Sequence, residues 1–314
     1  MGFGDDIMGT GLAKSIMLRS EYADTVFVFG DPDNFYDAGT NTIRGHYSEV
    51  FMNNPHVLVP GEPVKNVCCI PDFPGQRSSI DYEKSDYEEP EEGKARRSTP
   101  GQIIRFQWNK EWSAPKGEIY FTVDEKSAAS EIAMRLPYPY FVIEPNVADK
   151  PWFNHKGWPF DRWQDVVDAF PGVTFIQFNG QRVLRGVHQL ITPTFRQAMG
   201  VLSGAGAFLG TDGGLHHAAA ALDVPAIVLW GHYSSPQVFG YNDQVNLRHE
   251  DGLGCGYVWK ECRECNESML KISVDEVVDS FKELLHDGRD KISRKGADRP
   301  IFRMVGEAVK GKEE

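Results

Sequence analysis

The chain has 314 residues, enough for two buried cores at about 150 residues per domain, and its 41% hydrophobic content with 19 Phe, 7 Trp and 11 Tyr excludes a disordered chain. Its 33 basic and 45 acidic residues leave a net charge of -12, which opposes nucleic-acid binding. No stretch reaches the roughly 18 uncharged apolar residues of a membrane span, and Asp5, Asp6, Glu21 and Asp24 stand where a signal peptide needs a basic, then apolar, start, so a cytoplasmic protein with at most peripheral membrane contact is expected.

In chain order, a glycine-bearing turn, Gly2 to Ile7, leads into a predicted helix from Ile7 to Leu18. It is no dinucleotide fingerprint, since Ile7 holds the third glycine position and no strand precedes it. Asp5 and Asp6 fall at the helix start, where a carboxylate serves as a cap or as a reactive group. Strands are predicted at Thr25–Phe29, His56–Val59, Asn66–Ile70, Ile103–Phe106 and Glu118–Val123. Asp31-Pro32-Asp33 has an Asp-x-Asp pattern, common in loops. The acidic run Asp81, Glu83, Asp86, Glu88, Glu89, Glu91 and Glu92, ending in Lys94, Arg96 and Arg97, reads as a solvated loop.

After Pro137 and Pro139 the pattern tightens to strand, loop, helix, with strands at Tyr140–Ile143, Val173–Phe178, Ala207–Leu209 and Ala226–Trp230. Trp163, Val166, Val167 and Phe170 form one helical face behind a cap at Asp161, and Ser273 caps another helix running to Leu285. Residues Lys310 to Glu314 are expected to fray. Apolar strands alternating with helices predict a parallel sheet that binds ligands at its carboxyl edge. At that edge stand Lys156, in Asn154-His155-Lys156-Gly157-Trp158-Pro159, and the turn Gly210-Thr211-Asp212-Gly213-Gly214, which opens a helix at Ala218–Leu222. Free N–H groups there, unobstructed at Gly213 and Gly214, suit a phosphate. The adjacent His216 and His217 should point apart, so a two-His metal pair is not expected.

Five cysteines, an odd number, suggest reduced thiols rather than a disulfide framework. Cys68 and Cys69 read as core. Cys255, Cys262 and Cys265 are one ligand short of a tetrahedral metal set unless His249, His232 or another chain completes it.

Taken together, Gly210 to Ala226 with Trp230-Gly231 resembles the signature of glycosyltransferase family 9, the family of ADP-heptose lipopolysaccharide heptosyltransferases. Lys156-Gly157-Trp158-Pro159 with Arg162-Trp163 resembles its Lys-x-Trp-Pro loop, Gly2-Phe3-Gly4-Asp5 its N-terminal Gly-Asp loop, and Cys265 through Ile272 to Val277 its C-terminal motif. The resemblance runs from about Tyr140 to Leu285 and through the N-terminal loop, and is poor between. It implies an α/β protein of GT-B architecture, two Rossmann-like domains facing a cleft: an acceptor-side domain at 1–137, a nucleotide-sugar-binding domain at 138–290, and a C-terminal helix and tail at 291–314. The family places a strand before the Gly-Asp loop, so the expectation is either an N-terminal domain lacking its first strand or a start that is late.

The resemblance further implies inverting transfer of a heptose or related sugar from a nucleotide sugar, such as ADP-heptose, to a glycan or lipopolysaccharide-like acceptor. Asp5 would be the general base, with Asp6 as the neighbour to which the role could shift. Lys156 would contact the diphosphate, and Thr211, Asp212, Gly213, Gly214 and His217 would hold the donor. No metal ion and no cofactor are expected at such a site, because a lysine and a helix N-terminus can stabilise the leaving group. Gly213 stands where the family has Thr or Ser. Acceptor contacts would come from Asp31 to Tyr120, with Arg96, Arg97, Arg105 and Trp108 as candidates. The competing readings are a sugar-nucleotide-binding protein without transfer, a GT-B sugar-nucleotide epimerase, and a metal-stabilised assembly module built on the three cysteines. Nothing in the sequence sets the oligomeric state.

Overall fold

The continuous apolar strands of the second half do assemble into a parallel sheet. The computed structural model describes residues 2–19, 25–29, 36–37, 42–43, 47–58, 67–70, 75–84, 102–147, 154–258 and 262–298. Asp31 to Asp33, Asp86 to Arg97 and Lys310 to Glu314 lie outside them. Within them, β7 (Tyr140–Glu144), β8 (Thr174–Gln177), β9 (His188–Gln189), β10 (Phe208–Thr211), β11 (Ala226–Leu229) and β12 (Val245–Leu247) form a six-stranded sheet in the order β12-β11-β10-β7-β8-β9. All five pairings are parallel. Numbered from β7, the order is 3-2-1-4-5-6, that of a doubly wound Rossmann sheet, whose direction of travel reverses between β7 and β10.

The two faces of this sheet are buried by alternate residues. Phe141, Ile143, Phe175, Leu209, Ile227 and Leu229 meet Trp163, Val166 and Val167 of α3 (Phe160–Asp168) and Val277, Val278 and Phe281 of α8 (Val274–Asp298). Phe281 is the hub, with its ring centroid 4.9 Å from Phe170 and 5.1 Å from Phe141. Tyr140, Val142, Ile176, Phe208 and Val228 point the other way, onto α4 (Phe195–Leu202) and α5 (Gly214–Ala221). That second cluster also contains Ile7, Met8 and Ala13 of α1 (Phe3–Met17), and extends to Phe27, Ile70 and Trp108. One core therefore runs from the N-terminal helix and strands to the sheet.

The first half is less regular. β1 (Val26–Phe29) and β4 (Val67–Ile70) pair in parallel, and β2 (Tyr36–Asp37) and β3 (Thr42–Ile43) form a two-stranded antiparallel pair. β5 (Arg77–Lys84) and β6 (Gln102–Trp108) are antiparallel, with β13 (Tyr257–Val258) on the free side of β6. Four expectations need correction. Of the expected strand His56–Val59, the described residues 56–58 make a single bridge, Phe27 to Val57, rather than a strand. Glu118–Val123 is not a strand: Thr122 Oγ1 accepts from the Glu125 amide and the Thr122 amide donates to the Glu125 carboxylate, starting α2 (Val123–Ala133) with a capping box. Asp81 and Glu83, read as loop, lie in β5, where pairing with β6 decides the conformation. Cys68 and Cys69 are half-buried rather than core.

Helix limits also differ: α5 begins at Gly214 rather than Ala218, and α8 runs on to Asp298 rather than ending at Leu285, so it crosses the boundary expected at 290–291. Pro159, not Asp161, is the N-cap of α3, while Ser273 and Glu276 exchange backbone bonds and cap α8 as expected.

Candidate active site

A topological switch point leaves a crevice at the carboxyl ends of the two central strands, because their following loops diverge to opposite faces. Glu144 ends β7, and the loop beyond it carries Lys156; Thr211 ends β10, with Asp212, Gly213 and α5 following. Lys156 Nζ donates to Asp212 Oδ2 at 2.5 Å, and Ser234 Oγ donates to the same oxygen at 2.7 Å. Asp212 is buried; desolvation alone would raise its pKa, but the charge and hydrogen bond of Lys156 hold it well below the usual carboxylate range. The Lys156 ammonium also lies 5.0 Å from the centroid of the Tyr233 ring.

Hydrogen bonding fixes the tautomer of His216. Its Nε2 lies 3.1 Å from the Phe239 carbonyl, which can only accept, and its Nδ1 accepts from the Gly213 amide at 3.0 Å. The ring is therefore neutral, in keeping with a pKa lowered by burial. This also assigns the Gly213 N–H to His216, so that amide is not free for a phosphate. The His216 and His217 rings do not point apart as expected: their centroids are 3.8 Å apart. Asp212, His216 and His217 bring ligand atoms within 4.8 Å of one another, yet both His216 nitrogens are committed, and His217 Nδ1 shares a 2.8 Å hydrogen bond with the Tyr241 hydroxyl.

The start of α1 faces this loop. Phe3 stacks on Phe195 at 4.3 Å, and a Cβ on Gly4 would lie 2.6 Å from His217 Cδ2, so only glycine allows this approach. Asp5 Oδ2 accepts from the Gly2 amide at 3.2 Å, capping the helix, and Oδ1 accepts from Gln76 Nε2 at 2.9 Å. Burial raises the Asp5 pKa, opposed by the Gly2 amide and by the charges of Arg77 and Lys156. Asp5 thus shares one electrostatic neighbourhood with Arg77, Lys156 and Tyr233. Asp6 is buried within α1, only 2% exposed.

The structure brings together Asp5, Lys156, Thr211, Asp212, Gly213, Gly214 and His217. Sequence reasoning missed Gln76, Arg77, Tyr233, Ser234 and Glu144. Only Glu144 had a signal, as a carboxylate closing an apolar strand. Its Oε1 accepts from the Asn146 amide and from Asn146 Nδ2, both at 3.0 Å, and burial pushes its pKa up to about 7. Of the candidate acceptor contacts, Arg96 and Arg97 lie outside the described residues. Arg105 donates to the Cys255 carbonyl at 3.1 Å, and buried Trp108 donates to the Tyr233 carbonyl at 3.0 Å, so both serve packing.

Residues 183–263, about a quarter of the chain, match a model of glycosyltransferase family 9 (heptosyltransferase). Over that stretch the chain is similar to the family. The matched stretch includes Asp212, Gly213, Gly214, His217 and Ser234; Asp5 and Lys156 lie before it. Among solved structures, E. coli ADP-heptose lps heptosyltransferase II is similar at 20% identity, with a TM-score of 0.43 over 55% of this chain and 54% of that one. A family 9 glycosyltransferase from Veillonella parvula gives 17% identity and a TM-score of 0.44 over 55% and 54%. E. coli heptosyltransferase WaaC with ADP gives 19% and 0.38 over 55% and 52%. The chain spans about half the length of these proteins. No curated protein matches it in sequence.

Proposed function

We propose that the protein is an inverting glycosyltransferase of the family 9 kind, transferring a heptose or related sugar from a nucleotide sugar to a hydroxyl of a glycan or lipopolysaccharide-like acceptor, without a metal ion in the transfer step. The observation that carries this reading is the placing of a carboxylate of raised pKa, Asp5, opposite the Lys156–Asp212 pair at the sheet's switch point. In this proposal Asp5 takes the acceptor proton as the hydroxyl attacks the anomeric carbon. The bond from that carbon to the diphosphate oxygen breaks, and Lys156 with the first turn of α5 stabilises the charge on the departing nucleotide. Asp212, held by Ser234, orients Lys156 and meets the donor. Residues 1–137 would supply the acceptor side and 138–290 the donor side, facing each other as in GT-B enzymes, in the cytoplasm. Among the described residues no helix is long and apolar enough to cross a membrane.

Binding without transfer is the second reading. It draws on the fact that both Asp5 oxygens already accept a hydrogen bond, though a carboxylate has about four acceptor positions. Asp5→Asn separates the two, with ADP-heptose as the first donor tried. The transferase reading expects turnover to fall by about 100-fold or more, the size of a general-base contribution, with nucleotide-sugar binding unchanged by calorimetry. Binding by the unaltered protein with no transfer to any glycan acceptor would instead establish the second reading.

A further inference from the structure

Away from the transfer site, three buried thiols converge where the second half of the chain meets the first. Cys255 Sγ lies 3.0 Å from Cys265 Sγ and 3.8 Å from Cys262 Sγ, and all three sulfurs fall within 4.8 Å of one another. Thiolates about 2.3 Å from one tetrahedral ion stand roughly 3.8 Å apart, so these three are already near the corners of such a site.

The backbone is shaped to bring them there. Cys262 is the N-cap of α7 (Arg263–Lys271) and Cys265 lies in its first turn, where N–H groups favour negative charge. Cys255 sits between Gly254 and Gly256, both at positive φ, 103° and 65°. A Cβ at Gly254 would come 2.6 Å from the Tyr233 carbonyl oxygen, and one at Gly256 would come 2.0 Å from that of Phe106. The glycines thus let the loop lie flat against β6 and the chain after β11, where the Cys255 amide donates to the His232 carbonyl at 2.7 Å.

The fourth corner has two candidates from the sequence. His249 pairs closely with Glu276, its Nε2 lying 2.7 Å away, whereas His232 Nε2 lies 3.7 Å from Glu264. His232 is tied by its backbone to Cys255 and, through its amide, to Ser268 Oγ at 2.6 Å; Ser268 in turn donates to the Cys265 carbonyl. Its Nδ1 is buried without a hydrogen-bond partner.

We propose that Cys255, Cys262 and Cys265, with His232 as fourth ligand, form a structural site for a tetrahedral transition-metal ion of the zinc type. Three thiolates and an imidazole suit such an ion, and each thiol releases its proton to solvent on binding, with no change of oxidation state. The ion fastens the start of α7 to the loop that carries Tyr233 and Ser234, and so steadies Asp212 from behind. It takes no part in transfer and is independent of the transferase reading.

Elemental analysis of full-length protein purified without an affinity tag tests the site. About one equivalent of metal is expected, falling to background in Cys262→Ser and staying at about one in Cys68→Ser, which lies outside the cluster. Circular dichroism of both variants separates metal loss from unfolding. If Cys262→Ser does not fold, cobalt(II) added to the unaltered protein is the second readout, giving the strong visible bands of tetrahedral thiolate coordination. His232→Ala is expected to shift those bands, and unchanged bands would remove His232 from the set. Metal-free native protein that binds no cobalt, metal retained in folded Cys262→Ser, or an intact mass two hydrogens low from a cysteine pair would overturn the proposal.

Discussion

Two carboxylates at the sheet's switch point titrate in opposite directions, because only one has a cation beside it. Asp212 has Lys156 at 2.5 Å and is held ionised well below the ordinary range, so its contribution to stability is complete above the usual aspartate pKa and is lost only on strong acidification. Glu144 has amide donors alone, and burial lifts it to about 7. Its folded pKa exceeds its unfolded value, so the contribution is full below about 4.3 and is lost as pH rises through about 7. Thermal unfolding between pH 5 and 8 should therefore show the unaltered protein losing stability relative to Glu144→Gln as pH rises; parallel curves would contradict the assignment. Lys156 and Asp212 were legible in the sequence because each follows an apolar strand at a ligand-binding edge. Gln76, Arg77 and Tyr233 were not, since they reach the site through pairing and loop packing that no local pattern encodes.

At the level of elements, the strongest sequence signals were continuous apolar runs, and these became β1, β4, β6, β7, β8, β10 and β11. Half-buried or polar segments misled: Glu118–Val123 has strand-forming residues but follows Gly117, where a Cβ would lie 2.3 Å from the Ile7 carbonyl oxygen, and then yields to the Thr122 cap. Conversely, β5 begins Arg-Ser-Ser and carries acids, yet pairs along its length with β6. The packing of α1 on α5 depends on small residues, with Ala218, Ala219 and Ala220 fully buried and Gly4 against His217. Gly4→Ala should force the helices apart and cost about 1–3 kcal/mol in urea unfolding, the range for overpacking. If instead stability rises by the few tenths expected of a helix-favouring alanine, the contact yields more easily than its geometry indicates.

Across the whole molecule, the sheet order 3-2-1-4-5-6 could be anticipated only as a parallel α/β arrangement, because strand order depends on which loops cross which face. The sharing of one core between α1, β6 and the sheet was not legible either. It has a measurable result. If the cluster joining Ile7, Trp108, Phe208 and Ala219 is one cooperative unit, amides of β6 and β10 should exchange with the same opening free energy in native-state hydrogen exchange. A distinctly lower value for β6 would show that the first half opens alone. Arg196 works toward the same unity: it reaches the Glu49 carbonyl, the Tyr120 carbonyl and the Glu125 carboxylate from α4.

The pairing of β13 with β6 sets Tyr257 opposite Arg105, 152 positions apart in the chain. On the ribosome, β6 is made long before its neighbour. The strand emerges with one edge unpaired and waits through the synthesis of the whole parallel sheet before residue 257 leaves the exit tunnel. An open edge of this kind is where nascent chains associate with one another. Slow translation or early termination before residue 257 would therefore be expected to yield aggregates rather than a soluble first half.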